Sequence, residues 1–167
     1  CKPKLNEIII DPTAGTGGFL TMTIKYLEAN YENIDWDEQK KYLYGFDIDQ
    51  NNCNMMRLNI LLDTTKFFDT IITRDTLYTD IAIEDNPPLN ADVILANEPM
   101  GLTNIIHAEC CGRIKNLVIR GTKAEPLFLQ LFMEALNDNG RCAVVVPDGV
   151  LFNESNLHQG TSKKLIE

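Results

Sequence analysis

Residues 11–20 read Asp11-Pro12-Thr13-Ala14-Gly15-Thr16-Gly17-Gly18-Phe19-Leu20. A short apolar run, Glu7 to Ile10, precedes them and has the character of a strand. A helical pattern follows, with Phe19, Thr23, Tyr26 and Leu27 spaced to share one face. The stretch is therefore a strand-to-helix turn made of glycine. Glycine lets the backbone turn tightly and approach a ligand closely, and the free N–H groups of the following helix face an anionic group in front of it. A phosphate-cradling P-loop requires Gly-Lys-Ser/Thr, and the chain contains no Gly-Lys. A dinucleotide fingerprint beginning at Gly15 wants a small residue where Leu20 stands. A cofactor carrying a cationic amine wants an acid just ahead of the glycines, and Asp11 supplies one. A tight turn with no ligand is the plainer alternative.

Outward from this turn, strands and helices alternate. Tyr42 to Phe46 reads as a second strand closed by Asp47, followed by a helix with Cys53, Met56 and Ile60 on one face and Asp49 as its cap. Phe67 to Thr73 is a third strand and Ala91 to Ala96 a fourth, the latter running into Asn97-Glu98-Pro99-Met100. A loop of about 24 residues comes next, a length that is usually functional or disordered. Leu127 to Leu136 is an amphipathic helix, for which Gly140 suits the stop. Arg141 to Val146 is a fifth, nearly wholly apolar strand, as expected where both faces are covered. This order predicts an α/β fold: a mostly parallel sheet with right-handed crossovers and helices on both faces. In such sheets ligands lie beyond the carboxyl ends of the strands, and every unusual motif of the chain falls there.

Composition sets outer bounds. The chain of 167 residues is 44% hydrophobic and 23% charged, in the range of a globular domain, and no apolar run is long enough to span a membrane. There is no secretory leader pattern, so a cytoplasmic location is expected, or a nuclear or viral one for a eukaryotic system. The five cysteines, Cys1, Cys53, Cys110, Cys111 and Cys142, include no C-x-x-C pair. Reduced thiols and no metal site are the expectation. The net charge of -9 argues against a self-sufficient DNA binder, because phosphate neutralisation supplies most of such affinity. One local exception is the stretch 101–124, where Arg113, Lys115, Arg120 and Lys123 stand against Glu109 alone. It is either a phosphate-facing loop or an ordinary solvated one.

Two further acids close strands. Asp47, in Gly45-Phe46-Asp47-Ile48-Asp49, can accept from ribose hydroxyls, as carboxylates do at this place in dinucleotide folds. Asp75, in Arg74-Asp75-Thr76-Leu77, can accept from an adenine amine or simply form a turn.

Residues 11–20 resemble the D-P-x-x-G-T-G-G-F-L motif of amino-methylating DNA methyltransferases, and Asn97-Glu98-Pro99-Met100 resembles their N-P-P-F/Y/W motif. Arg74-Asp75-Thr76-Leu77 is similar to their G-D-T-L. Residues 45–62, GFDIDQNNCNMMRLNILL, and 127–152, LFLQLFMEALNDNGRCAVVVPDGVLF, resemble segments of the modification subunit of type I restriction-modification systems. The resemblance spans nearly the whole chain. It implies a Rossmann-like core that binds S-adenosyl-L-methionine through Asp11, Thr13, Gly15, Gly17, Asp47 and Asp75. It implies transfer of the methyl group to the exocyclic amine of a flipped adenine, in company with a separate specificity subunit. Asn97 would accept one amine hydrogen through its side chain and Glu98 the other through its carbonyl. Pro99 and Met100 would complete the catalytic motif.

The chain departs from the family in that motif. Glu98 stands for a proline and Met100 for an aromatic residue that stacks on the base. The backbone carbonyl survives the first change, while the rigid φ of proline does not. Methionine touches a base more weakly than an aromatic ring, and a Glu98 carboxylate is expected to face incoming phosphates. Two functions stay open: an adenine methyltransferase core, active or impaired by this motif, and a catalytically inactive methyltransferase-fold subunit with a structural or binding role. Residues 1–167 are expected to form one core domain, without the family's N-terminal helical domain and last strands.

Overall fold

The computed structural model describes residues 1–82, 89–116, 119–152 and 156–166. Five strands form one sheet: β1 (Ile9–Asp11), β2 (Leu43–Asp47), β3 (Ile71–Thr73), β4 (Ala91–Asn97) and β5 (Leu136–Val145). Their order is β3-β2-β1-β4-β5 and every pairing is parallel. The chain winds outward from β1 to β3, then returns to β1's other side as β4. The direction of winding thus reverses between β1 and β4, which is where open parallel sheets form their ligand crevice.

Helices cover both faces. On one, α1 (Gly18–Asn30) and α3 (Gln50–Thr64) bury Leu20, Ile24, Cys53, Met56 and Ile60 against Leu43 and Ile71. The expected cap holds: Asp49 accepts from the N–H of Asn51 at 2.8 Å and starts α3. The connection between α1 and β2 is not plain loop. It carries α2 (Trp36–Gln39), capped by Asp35, whose side chain accepts from Asp37 and Glu38. On the other face, α6 (Ala124–Ala135) lies over Ile10, Phe46, Ile94 and Ala96. This helix is buried nearly all round, because α4 (Thr76–Thr79), α5 (Gly112–Lys115) and α8 (Asn156–Ile166) flank it, with α7 (Asp148–Phe152) beside α8. Truncating a fully buried ring such as Phe132 to alanine costs about 3–5 kcal/mol.

Four expectations change. β5 is not covered on both faces: it is an edge strand on which Cys142, Ala143 and Val145 are exposed. Gly140 does not stop the helix. The helix ends at Ala135, and Leu136 is already extended. Ala91 pairs with Leu136 but Val93 pairs with Arg141, so residues 137–140 bulge out of β5. Gly140 is needed there because a Cβ would meet the carbonyls of Asn137 and Ala91 at 2.8 and 2.9 Å. The long loop after β4 is partly folded, burying Cys110, Cys111 and Ile114. Within it Arg113 turns inward, donating to the Leu89 carbonyl and Asn90 Oδ1 at 2.7 Å each and lying 3.6 Å from Asp80. It is therefore structural and not phosphate-facing, whereas Lys115, Arg120 and Lys123 are exposed.

Candidate cofactor and target-base site

Asp11, Asp47, Asp75 and Asn97 stand at the carboxyl ends of four neighbouring strands, on both sides of the switch point. The glycine turn is fastened from β2. The N–H of Ala14 donates to the Phe46 carbonyl at 2.8 Å, and the N–H of Gly15 donates to Asp47 Oδ2 at 2.9 Å. Asp47 Oδ1 accepts from the N–H of Asp49 at 2.8 Å and from Asn52 Nδ2 at 3.1 Å. A carboxylate oxygen has about two acceptor sites, so Oδ2 keeps one for a ligand.

The glycines differ in purpose. Gly15 has φ +55° with nothing within 4 Å of where a Cβ would sit, so its Cα faces open space. Gly17 has φ +89°, and a Cβ there would meet Met56 Cγ at 2.5 Å. Its need is close packing of the turn on α3. Asn59 Nδ2 adds a bond to the Thr16 carbonyl at 3.0 Å.

Asp11 is 1% exposed and, among the described residues, accepts only from the N–H of Thr13, at 3.2 Å. Burial, helped by the charge of Asp47, pushes its carboxyl up to about 8. Asp75 caps α4, and both of its bonds, from the N–H groups of Leu77 and Tyr78, go to Oδ1. Thr76 Oγ1 donates to the Pro12 carbonyl at 3.1 Å, tying α4 to the glycine turn.

Two hollows meet here. One, of about 340 Å³, has Asp47, Ile48, Asp75, Asn97, Pro99 and Phe128 among its walls. The other, about 460 Å³ and more open, has Asp11, Gly15, Phe19, Met22 and Asn97. Thr13 and Asn97 line both, and Thr13 Oγ1 donates to the Asn97 carbonyl at 3.3 Å. The sequence expectations thus come together for Asp11, Thr13, Gly15, Asp47, Asp75, Asn97 and Pro99. Met100 is half exposed, and neither hollow includes it or Glu98.

Glu98 is the main correction. It does not face incoming phosphates: it is 2% exposed, and neither carboxylate oxygen has a hydrogen-bond partner among the described residues. Burial, with Glu125 nearby, pushes its carboxyl up to about 8. Strand alternation carried the signal, since Ala96 and Glu98 fall on the same side of an extended chain and Ala96 is buried. Asn52, Thr76 and Phe128 were missed as well. Asn52 was legible as a polar residue in the first turn after Asp47. Phe128 reads in sequence as ordinary core.

This arrangement defines a doubly wound α/β domain with a nucleoside-cofactor crevice at its switch point. The N-6 DNA Methylase family model matches residues 1–167. The chain is 36% identical to the EcoEI type I restriction enzyme methylase subunit of Escherichia coli over 156 residues, covering 91% of the chain and 30% of that subunit. It is 32% identical to the StySPI methylase subunit of Salmonella potsdam over 165 residues, covering 90% and 29%. Among solved structures, the M protein of the EcoKI type I restriction enzyme superposes with a TM-score of 0.73 at 28% identity, over 96% of this chain and 33% of that one. A type I modification subunit from Vibrio vulnificus YJ016 gives 0.75 at 24% identity, over 99% and 35%. The chain belongs to the N-6 DNA methylase family, and it spans about 30% of the length of these curated relatives. Membership implies S-adenosyl-L-methionine as cofactor, and the residues fit it. Asp11 is a buried acid with one donor, Gly15 opens onto the same hollow, and Asp47 Oδ2 has acceptor capacity left.

Proposed function

We propose that the chain is the catalytic core of a modification subunit that methylates the exocyclic amine of adenine in DNA, working with a separate specificity subunit. One observation carries the reading. Asn97 stands where the two hollows meet, its carbonyl held by Thr13. There it borders both the hollow that holds Asp11 and Gly15 and the hollow that holds Asp47 and Asp75, so a group at this position reaches a cofactor laid across the two.

In this reading Asp11 faces the cofactor's ammonium, Asp47 accepts from its ribose and Asp75 Oδ2 from its adenine amine. Thr13 and Gly15 line the crevice, and Gly17 lets the turn close on Met56. S-adenosyl-L-methionine supplies an electrophilic methyl group on a sulfonium. The amine of adenine is a poor nucleophile because its lone pair is delocalised into the ring. Asn97 Oδ1 and the Glu98 carbonyl accept its two hydrogens, which favours a pyramidal nitrogen with the lone pair exposed. Pro99 fixes the chain after the acceptors, and Met100 touches the flipped base. The amine nitrogen would gain the methyl group as the carbon–sulfur bond breaks, the sulfur leaving as a neutral thioether, and its surplus proton would pass to water. Much of the rate then comes from holding the partners in line.

The acidic chain leaves most of the DNA affinity to its partner, with Lys115, Arg120 and Lys123 as its local contribution. A second reading, a methyltransferase-fold subunit without chemistry, draws on the altered Glu98 and Met100. Radiolabelled methyl transfer to unmethylated DNA, with and without a type I specificity subunit, separates the two. Label incorporated at adenine N6 supports the enzyme. Cofactor and DNA binding without incorporation supports the inactive subunit.

A further inference from the structure

Glu98 stands where the family motif has proline, and its side chain is enclosed. Both oxygens lie without hydrogen-bond partners among the described residues. The charge that acts on it is that of Glu125, in the first turn of α6, which is 8% exposed. Glu125 is already engaged by the same loop: the N–H of Gly101 donates to Glu125 Oε1 at 2.6 Å. On β5 the Cys142 thiol feels the charge of Glu98. On α8 His158 feels Lys123 and Glu125. The loop from Asn97 to Gly101 is thus held at one end by a carboxyl group inserted into the interior and at the other by a second carboxylate. Such an insertion is tolerated while the inner group is uncharged, since an unpaired buried carboxylate is strongly disfavoured.

We propose that Glu98 is a positioning residue: uncharged, its side chain pins the Asn97-Glu98-Pro99-Met100 loop against α6, and its ionisation releases that loop together with Asn97. This deepens the methyltransferase reading and rests on it for its consequence, a reaction whose competent loop is proton-dependent. The family's proline has no proton to lose, so the device belongs to this chain.

Hydrogen exchange at the Gly101 amide tests the pinning without requiring activity. A carboxyl that is neutral inside and ordinary when released makes the held state progressively weaker as pH rises. Amide protection, corrected for intrinsic exchange, should fall by about tenfold per pH unit from near 4.5 to about 8, then level off. Glu98→Gln, permanently neutral, should remove that slope. Glu125→Gln removes the repelling charge, so levelling should begin at lower pH. A wild-type profile without slope, or the same slope in Glu98→Gln, overturns the proposal. If Glu98→Gln does not fold, an unmoved levelling point in Glu125→Gln overturns it. Methyl transfer followed over the same range should show the wild-type rate falling relative to Glu98→Gln as pH rises. If the amide results hold while no methyl transfer occurs at any pH, the function proposed above fails and the role of Glu98 in holding the loop stands.

Discussion

The main-chain N–H of Gly15 donates to Asp47 Oδ2 at 2.9 Å, so the acid that closes β2 also shapes the glycine turn after β1. Removing this carboxylate therefore disturbs the crevice twice, once as a ligand contact and once as a fastener. Asp47→Ala is expected to weaken S-adenosyl-L-methionine binding by roughly 1.5–3 kcal/mol, the range for a charge-assisted hydrogen bond. Calorimetry reads this as a loss on the order of 10- to 100-fold in affinity. An affinity equal to wild type would remove Asp47 from the site.

Gly15 and Gly17 should respond oppositely to alanine. At Gly17 the new Cβ would lie 2.5 Å from Met56 Cγ on backbone of positive φ, so both overpacking and strain act. Gly17→Ala is expected to cost about 2–5 kcal/mol of stability, the overpacking and backbone terms together. At Gly15 only the backbone term applies, about 1–2 kcal/mol, but the methyl group enters the open hollow. Thermal unfolding and cofactor titration together should show Gly17→Ala limited by stability and Gly15→Ala by binding.

Asp11 makes cofactor binding depend on pH. Its carboxyl is pushed up to about 8 in the folded chain, against an ordinary value of 3.8. A raised value means that the neutral form is favoured by folding. The associated stability is fully present below about 3.8 and is lost as pH rises through about 8. A bound ammonium reverses the preference and draws the proton off. Affinity should therefore increase as pH rises toward 8 and level beyond it, with protons released on binding below that point. Calorimetry in buffers of different ionisation enthalpy counts those protons. Asp11→Asn should abolish the release.

The site was legible where its residues answer to local rules. Glycine after a strand, an acid at each strand end and the Asp49 cap all follow from short-range chemistry, and the parallel order follows from alternation. Two of the misreadings, Arg113 and Gly140, depend on residues distant in sequence. Arg113 reads as one more cation in a basic stretch until Leu89, Asn90 and Asp80 are seen around it. Gly140 reads as a helix stop because the bulge that needs it is defined by Ala91 on another strand. Glu98 reads as a surface carboxylate because charged residues rarely lie inside unpaired. There strand alternation, a local rule, was right against composition.

The two kinds of cation in residues 101–124 should separate in DNA binding. Arg113→Ala removes bonds to Leu89 and Asn90 and is expected to lower stability. Neutralising Lys115, Arg120 and Lys123 should leave stability near wild type and weaken DNA binding by the complete assembly. For every phosphate no longer neutralised, the slope of log affinity against log salt should become shallower by about 0.9. An unchanged slope in the triple variant would assign these side chains to solvent alone.

The altered motif permits a gain-of-function test. Met100 is half exposed, so a larger ring has room. Base stacking on an aromatic is worth roughly 1–3 kcal/mol, and acting wholly in the transition state this corresponds to about 5- to 150-fold in rate. Glu98→Pro keeps the acceptor carbonyl and exchanges the side-chain pin for a fixed φ. The double change Glu98→Pro, Met100→Phe should therefore raise adenine methylation in a complete assembly. Its rate should also lose the part of its pH dependence due to Glu98, while the part due to Asp11 remains. Adding Asn97→Ala to the pair should abolish the gain, because the amine then lacks its side-chain acceptor while the fold and the Thr13 bond to the main chain are kept. Initial rates of labelled methyl transfer at fixed cofactor and DNA saturation give the order directly: double change above wild type, triple change below both. If the double change binds cofactor and DNA yet transfers no methyl group, the defect lies outside this motif and the inactive-subunit reading is the one that survives. A wild-type rate equal to that of the double change would show that Met100 and Glu98 never limited the chemistry.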